Sequence, residues 1–496
     1  MNRRLATSTR MAVFTAFFAA LVGVAAATDA PASFPTTPPA PGPAPRLDLP
    51  TPATQRLPNG LEVVSVRRAN LPLVTAQLVL RRGGESDPVN EAGLADLTAN
   101  LLARGAGGQR APQIATAAEM LGGSLQAAAD WDESSLGITV TTPMLPKALA
   151  LLATVVRQPD FAPAELARAK AQATDALRLS LSQPLTLAAL AANRAVFGAG
   201  AYGHSRTGTP ASIAHITRAD VERLHAELYR PDNAILVLAG DITPAQALQL
   251  ATASFGDWKK PPTPLPPLPQ GGADGKLPAI LVIDQPGAGQ AGVVAAHAAP
   301  ARKDANYYVG VVANAVLGGS YSARLNEEIR IKRGLSYGAS SHLQPLADAG
   351  AWLASAQTKN PSAPQVVALM QQQFAVLGDR DVAAAELAAR KATLIGDYGR
   401  RLETTAGLAQ EVAELAVYQL PLADINQYIA KVQAVTPKEI TAYAHRHLDA
   451  RHTRVVVVGD AGQFEAALHK AYPEAMTLQA DTLDLDSATL QAPPPH

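Results

Sequence analysis

Short apolar runs bounded by turn residues recur along both halves of the chain. LEVVSVRR from Leu61, LVTAQLVLRRGG from Leu73 and LGITVTT from Leu136 read as strands in the first half, and AILVID from Ala279, AGVVAAH from Ala291 and AWLASAQT from Ala351 in the second. Ala-rich stretches such as Ala164–Leu181 and Ala383–Leu402 lie between them and have helical composition. The alternation predicts an α+β protein made of sandwiches in which helices cover mainly antiparallel sheets. Leu94, Leu97 and Leu101 recur at helical spacing, so EAGLADLTANLLARG (Glu91 to Gly105) reads as an amphipathic helix.

An internal repeat fixes the number of sandwiches. ITRADVERLHAELYRPDNAILVLAGDI begins at Ile216, and VTPKEITAYAHRHLDARHTRVVVVGDA begins at Val435, 219 residues later. Without a gap, Thr217 meets Thr436, Val221 meets Ile440, and Gly240-Asp241 meets Gly459-Asp460. Both copies predict an N-capped helix, a loop, an apolar strand and a Gly-Asp turn. Two such copies indicate a duplicated domain rather than a solenoid. Proline-rich stretches set the boundaries, because proline supplies no amide donor. Residues 28–56 read as an extended tether and Lys259–Pro278 as a linker or semi-rigid hinge. The domains are then 57–258 and 279–475, with a tail at 476–496.

The first 27 residues resemble an export signal. Arg3, Arg4 and Arg10 precede the uncharged, largely apolar run Met11–Ala27, which ends on three alanines. Cleavage there predicts a periplasmic or secreted protein released by a Sec-type route and not held at a membrane. Retention as an anchor is the alternative, since the run approaches the ~20 residues that span a bilayer. The residues around Arg3-Arg4 lack most of a twin-arginine motif. The chain has no cysteine, which excludes disulfides and a lipoprotein anchor and is compatible with an oxidising compartment. Lys plus Arg number 42 and Asp plus Glu 42, so charge gives no reason to expect nucleic acid as a partner.

The segment GGSYSARLNEEIRIKRGLSYG, from Gly318 to Gly338, carries the chemistry. A Gly-Gly turn leads into a predicted helix ending at Arg330, and a turn and strand carry Tyr337, seven positions on. A guanidinium and a phenol can both donate hydrogen bonds to a peptide carbonyl as it gains negative charge. On spacing alone, a surface Arg beside a packed Tyr is the commoner meaning of such a pair. The full segment resembles the second-domain signature of the insulinase/pitrilysin family of zinc peptidases, the inverzincins, and the resemblance extends from about Leu57 to Asp460. It implies that Arg330 and Tyr337 hold the substrate backbone near the scissile carbonyl. It also implies two halves enclosing a cavity that admits unfolded peptides, with substrate adding to a sheet edge.

The first-domain signature of that family is HxxEH on a helix, two zinc-binding His one turn apart and a Glu that activates water. No HxxEH occurs in this chain. EAGLADLTANLLARG is similar to the family's E-x-G-L-A-H-x-x-E-H stretch, which puts Asp96 at the first His, Ala99 at the Glu and Asn100 at the second His. These positions share one helix face, but an Asn carboxamide is a poor zinc ligand and Ala99 cannot accept a proton. The family's third ligand, a Glu about eight residues before the proline that closes a later helix, maps to Ala176 before Pro184; Asp175 lies about 100° around the helix. Gln126, in the expected edge strand, replaces the Asn the family tends to have. His445, His447 and His452 lack helix-compatible spacing for a metal site, and His204 in GAYGHSRTGTP matches a family loop in which it orders the turn.

No metal is therefore expected in this chain, and no peptide hydrolysis by it alone. The resemblance implies the role of a subunit that supplies Arg330 and Tyr337 to a homologous partner carrying HxxEH and zinc, as in the family's split pairs of bacteria and the mitochondrial processing peptidase. The alternative is a non-enzymatic scaffold or peptide-binding protein, like the family members at the core of a respiratory complex.

Overall fold

The computed structural model describes residues 48–88, 90–269, 277–449 and 452–492. The expected export signal, the expected tether up to residue 47 and part of the expected linker lie outside the described residues.

Two six-stranded sheets are built to the same plan. The first comprises β1 (Ala53–Arg56), β2 (Glu62–Arg67), β3 (Leu73–Leu80), β6 (Gln126–Ala129), β7 (Ser134–Thr141) and β8 (Ala234–Gly240), ordered β1-β2-β8-β3-β7-β6. The short pair β4 (Gly105–Ala106) and β5 (Gln109–Arg110) forms a separate hairpin. The second sheet comprises β9 (Ile280–Asp284), β10 (Ala291–Ala298), β11 (Ser336–Pro345), β12 (Gly350–Thr358), β13 (Arg454–Gly459) and β14 (Met476–Gln479), ordered β11-β12-β10-β13-β9-β14. Within the first sheet only β2 and β8 pair in parallel; in the second, β13 with β9 and β14 with β9 do so. The mixed helix and strand content and the duplicated, mainly antiparallel sheets match the α+β expectation.

The repeat accounts for corresponding parts of the two halves. Thr217 and Thr436 each accept the amide three residues on, Asp220 or Glu439 reciprocates, and the capped helices Arg218–Leu228 and Pro437–His447 precede the parallel-paired strands β8 and β13. A second shared device was not visible in the sequence. Lys170 donates to the carbonyls of Ala214 and Ile216, and Lys391 to those of Gln433 and Val435. In each half one lysine, on the long helix Pro163–Leu181 or Ala384–Arg401, thus fastens the residues just before the capped helix.

Each sheet borrows a cover from the other half. The helix Thr405–Val417 packs on β8 and β3 of the first sheet, and Pro184–Phe197 packs on β10 and β13 of the second. All seven residues of β8 are buried, as expected for a strand covered on both faces. The crossing is polar as well as apolar: Thr75 donates to Thr405 at 2.9 Å and Gln77 to Gln410 at 3.0 Å. Gly292 is required where the second borrowed helix begins, because a Cβ there would lie 2.4 Å from the Leu185 nitrogen.

Two expected boundaries move. The tether expected through residue 56 ends earlier, since Ala53–Arg56 pairs antiparallel with β2 and the Leu49 amide bonds the Asn426 side chain. The expected tail from residue 476 is also built in. β14 completes the edge of β9, Leu478 and Leu490 are buried, and Asp486 accepts the Thr209 hydroxyl at 2.8 Å. The open edge of β9 and the apolar surface beside it provide what these residues need.

Candidate functional site

The Gly-Gly turn of the second half is a packing requirement. The Gly318 carbonyl accepts the Ser341 amide at 3.0 Å, and a Cβ on Gly318 would stand 2.3 Å from that nitrogen. The turn is anchored from the other side by Arg390, which donates to the hydroxyls of Ser320 at 3.1 Å and Ser322 at 2.7 Å. Arg324 forms a forked pair with Glu386 at 2.9 and 2.8 Å. The short helix Arg324–Asn326 then widens into a π-type turn over Glu327–Ile331, a departure frequent at functional sites. Arg330 projects from that turn with its guanidinium 4.7 Å over the ring of Tyr321.

Tyr337 sits in a β-bulge at the start of the edge strand β11, where the register shifts between Ser336 and Ala339. Ser336 stabilises the bulge by accepting the Gly338 amide at 3.0 Å and donating to the Gly338 carbonyl at 2.6 Å. Tyr337 is 89 % exposed and Tyr321 65 %, an unusual presentation for two large rings. Arg330, Tyr321 and Tyr337 therefore belong to one outward-facing segment.

The first-half positions have a different character. Asp96, Ala99 and Asn100 share the helix Leu94–Leu102, as the spacing predicted. Ala99 is buried, and Asn100 spends its amide on the Asp96 carbonyl at 2.9 Å and carboxylate at 3.1 Å. Arg206, which the sequence reading passed over, enters beside them. It donates to the Ala129 carbonyl at the end of edge strand β6 at 2.5 Å, and lies 3.8 Å from Asp96 and 3.6 Å from Asp130. Burial raises the Asp96 carboxyl, and Arg206 pulls it back. On the helix Pro163–Leu181, Ala176 is exposed while the adjacent Leu177 is buried, and neither side chain can bind a metal. One carboxylate held by Arg206 and Asn100, with a carboxamide and two aliphatic side chains in the remaining places, does not make a zinc site. The purified chain is accordingly expected to lack stoichiometric zinc by elemental analysis, and one tightly held ion lost on Asp96→Ala would refute that expectation.

The histidines are employed elsewhere. His204 lies 3.8 Å from Asp87 and edge-on to Trp131, with ring centroids 5.1 Å apart. Asp87 in turn accepts the Gly93 and Ala95 amides at 2.7 and 2.8 Å, fixing the start of the helix that bears Asp96. His447 and His452 line a cavity with His297 on β10, whereas His445 is exposed. Among the described residues no group of three or more His, Cys, Asp or Glu is placed to hold a metal ion.

Within the chain the two candidate regions lie toward opposite ends of β11. Leu346, just past that strand, is buried against Trp131 and Tyr202 beside the Arg206 site. Tyr337 is nine residues earlier, roughly 30 Å away at ~3.3 Å per strand residue.

Comparison with known proteins agrees with this anatomy. Residues 62–203 match the family model described as insulinase (peptidase family M16), and residues 215–394 match the peptidase M16 inactive domain. An uncharacterised zinc protease of Mycobacterium leprae is 25 % identical over 81 % of this chain and 90 % of its own. The non-peptidase homolog YmxG of Helicobacter pylori is 25 % identical over 79 % and 90 %. The crystal structure of a peptidase M16 inactive domain from Pseudomonas fluorescens superposes with a TM-score of 0.76 and 27 % identity, covering 82 % of this chain and 98 % of that one. The chain belongs to the insulinase family of peptidases, M16, as a member whose sequence contains no HxxEH.

Proposed function

We propose that this chain is the subunit of an exported, heteromeric zinc endopeptidase that does not hold the metal. It presents Arg330 and Tyr337 to a homologous partner carrying HxxEH, and unfolded peptides are the substrates. The observation that carries this reading is the exposure of Tyr337: a phenol without a hydrogen-bond partner among the described residues, placed in a bulge seven residues after Arg330. A packing role would bury the ring. The likeness to YmxG, a non-peptidase homolog, supports a subunit that is inactive by itself.

In this reading the zinc and the water-activating Glu are supplied by the partner, which provides the nucleophile. Arg330 and Tyr337 bind and orient the peptide carbonyl and donate hydrogen bonds to its oxygen as negative charge develops. Co-expression with an HxxEH homologue from the same organism, followed by size-exclusion chromatography and a peptide-cleavage assay, tests the proposal. A stable heteromer that cleaves peptides, when neither chain does so alone, is the expected result. A chain that associates only with itself, or a partner fully active alone, favours the scaffold reading.

A further inference from the structure

The Arg330 segment contains a buried amide whose place the Arg/Tyr spacing does not explain. Asn326 is 3 % exposed. Its Nδ2 donates to the Tyr321 carbonyl at 2.6 Å, and its Oδ1 accepts the Ala339 amide at 3.1 Å. One bond holds the loop that precedes the short helix; the other holds the strand just beyond the bulge. Arg330 leans on the Tyr321 ring, and Tyr337 lies two residues before Ala339. A single planar side chain thus spans both backbone segments on which the half-buried guanidinium and the exposed phenol depend.

Resting on the shared-site reading above, we propose that Asn326 is a positioning residue. It fixes Arg330 through Tyr321, and Tyr337 through Ala339, at the separation needed to grip one peptide carbonyl. The requirement is specific to an amide, because one bond needs a donor and the other an acceptor on the same planar group. Asp at this position keeps the acceptor but turns a carboxylate oxygen toward the Tyr321 carbonyl. Protonation of that carboxyl restores a donor. The Asp variant should therefore regain function as pH falls, whereas Ala should not.

The test uses the full chain assembled with an HxxEH homologue. Asn326→Ala is expected to lower kcat on the order of 10²-fold with KM little changed, the size of effect that misplacing reacting groups produces. Asn326→Asp is expected to approach wild type, compared at each pH, as the solution is made more acidic. A second arm needs no partner: in the chain alone, hydrogen exchange across residues 335–345 should quicken in Asn326→Ala. Wild-type kcat for Asn326→Ala in a complex that Arg330→Ala impairs would overturn the proposal, as would equal pH profiles for the Asp and Ala variants. If Arg330→Ala is itself silent, the shared-site reading fails and the catalytic part of this proposal with it. Unchanged exchange in the chain alone would remove the clamp itself.

Discussion

Arg330→Ala and Tyr337→Phe should each lower kcat of the proposed complex with an HxxEH homologue on the order of 10²–10³-fold, the usual cost of removing one hydrogen-bond donor aimed at a developing oxyanion. Folding should be nearly untouched. Tyr337 is 89 % exposed and makes no hydrogen bond among the described residues, so removal of its hydroxyl leaves no orphaned partner. Among the described residues the half-buried Arg330 side chain contributes its contact with the ring of the exposed Tyr321, 4.7 Å away and worth about 0.5–1 kcal/mol. The separation of rate from stability makes the measurement decisive. Asp96→Ala and Asn100→Ala, on the first-half helix Leu94–Leu102, should leave the rate almost unchanged. Should the Arg330 and Tyr337 variants cleave at the wild-type rate while assembled, the shared-site mechanism is wrong and the segment serves packing alone.

The strands and long helices were legible because their signals are local. LVTAQLVL, AILVID and the Ala-rich helices announce themselves through composition and period, and Thr217 and Thr436 through their capping boxes. The exchanged helices were not, since Thr405–Val417 and Pro184–Phe197 are ordinary amphipathic segments and nothing local states which sheet will bury them. β14 was hidden for a related reason: MTLQ is a weak strand until the open edge of β9 is available. The candidate site divides in the same way. Arg330 and Tyr337 were readable from a spaced motif, whereas Arg206 meets Asp96 across 110 positions and Asn326 acts through backbone groups on either side of it. A weak signal for Arg206 was present in the family-like loop GAYGHSRTGTP, where it stands two residues beyond His204.

Asp132→Ala should cost about 3–5 kcal/mol of stability, a larger loss than any change at the exposed segment. Asp132 is 7 % exposed, in the turn between β6 and β7, and it ties the halves together. It accepts the Tyr202 hydroxyl at 2.6 Å from its own half, and the Tyr418 hydroxyl and the Ala347 amide, each at 3.0 Å, from the other. Burial raises its carboxyl, and the two phenols pull it back. Truncation would leave these donors without an acceptor in a poorly solvated place, at ~1–3 kcal/mol for each that water cannot reach. Asp132→Asn preserves the shape and one carbonyl acceptor and should cost less. Because each sheet is covered by a helix from the other half, the halves cannot part without baring the inner faces of both. Denaturant should therefore unfold the chain in one transition, and Asp132→Ala should move its midpoint rather than split it. Two well-separated transitions in the wild-type chain, with only one sensitive to Asp132, would show that the exchanged helices do not couple the sandwiches and that this carboxylate supports one half alone.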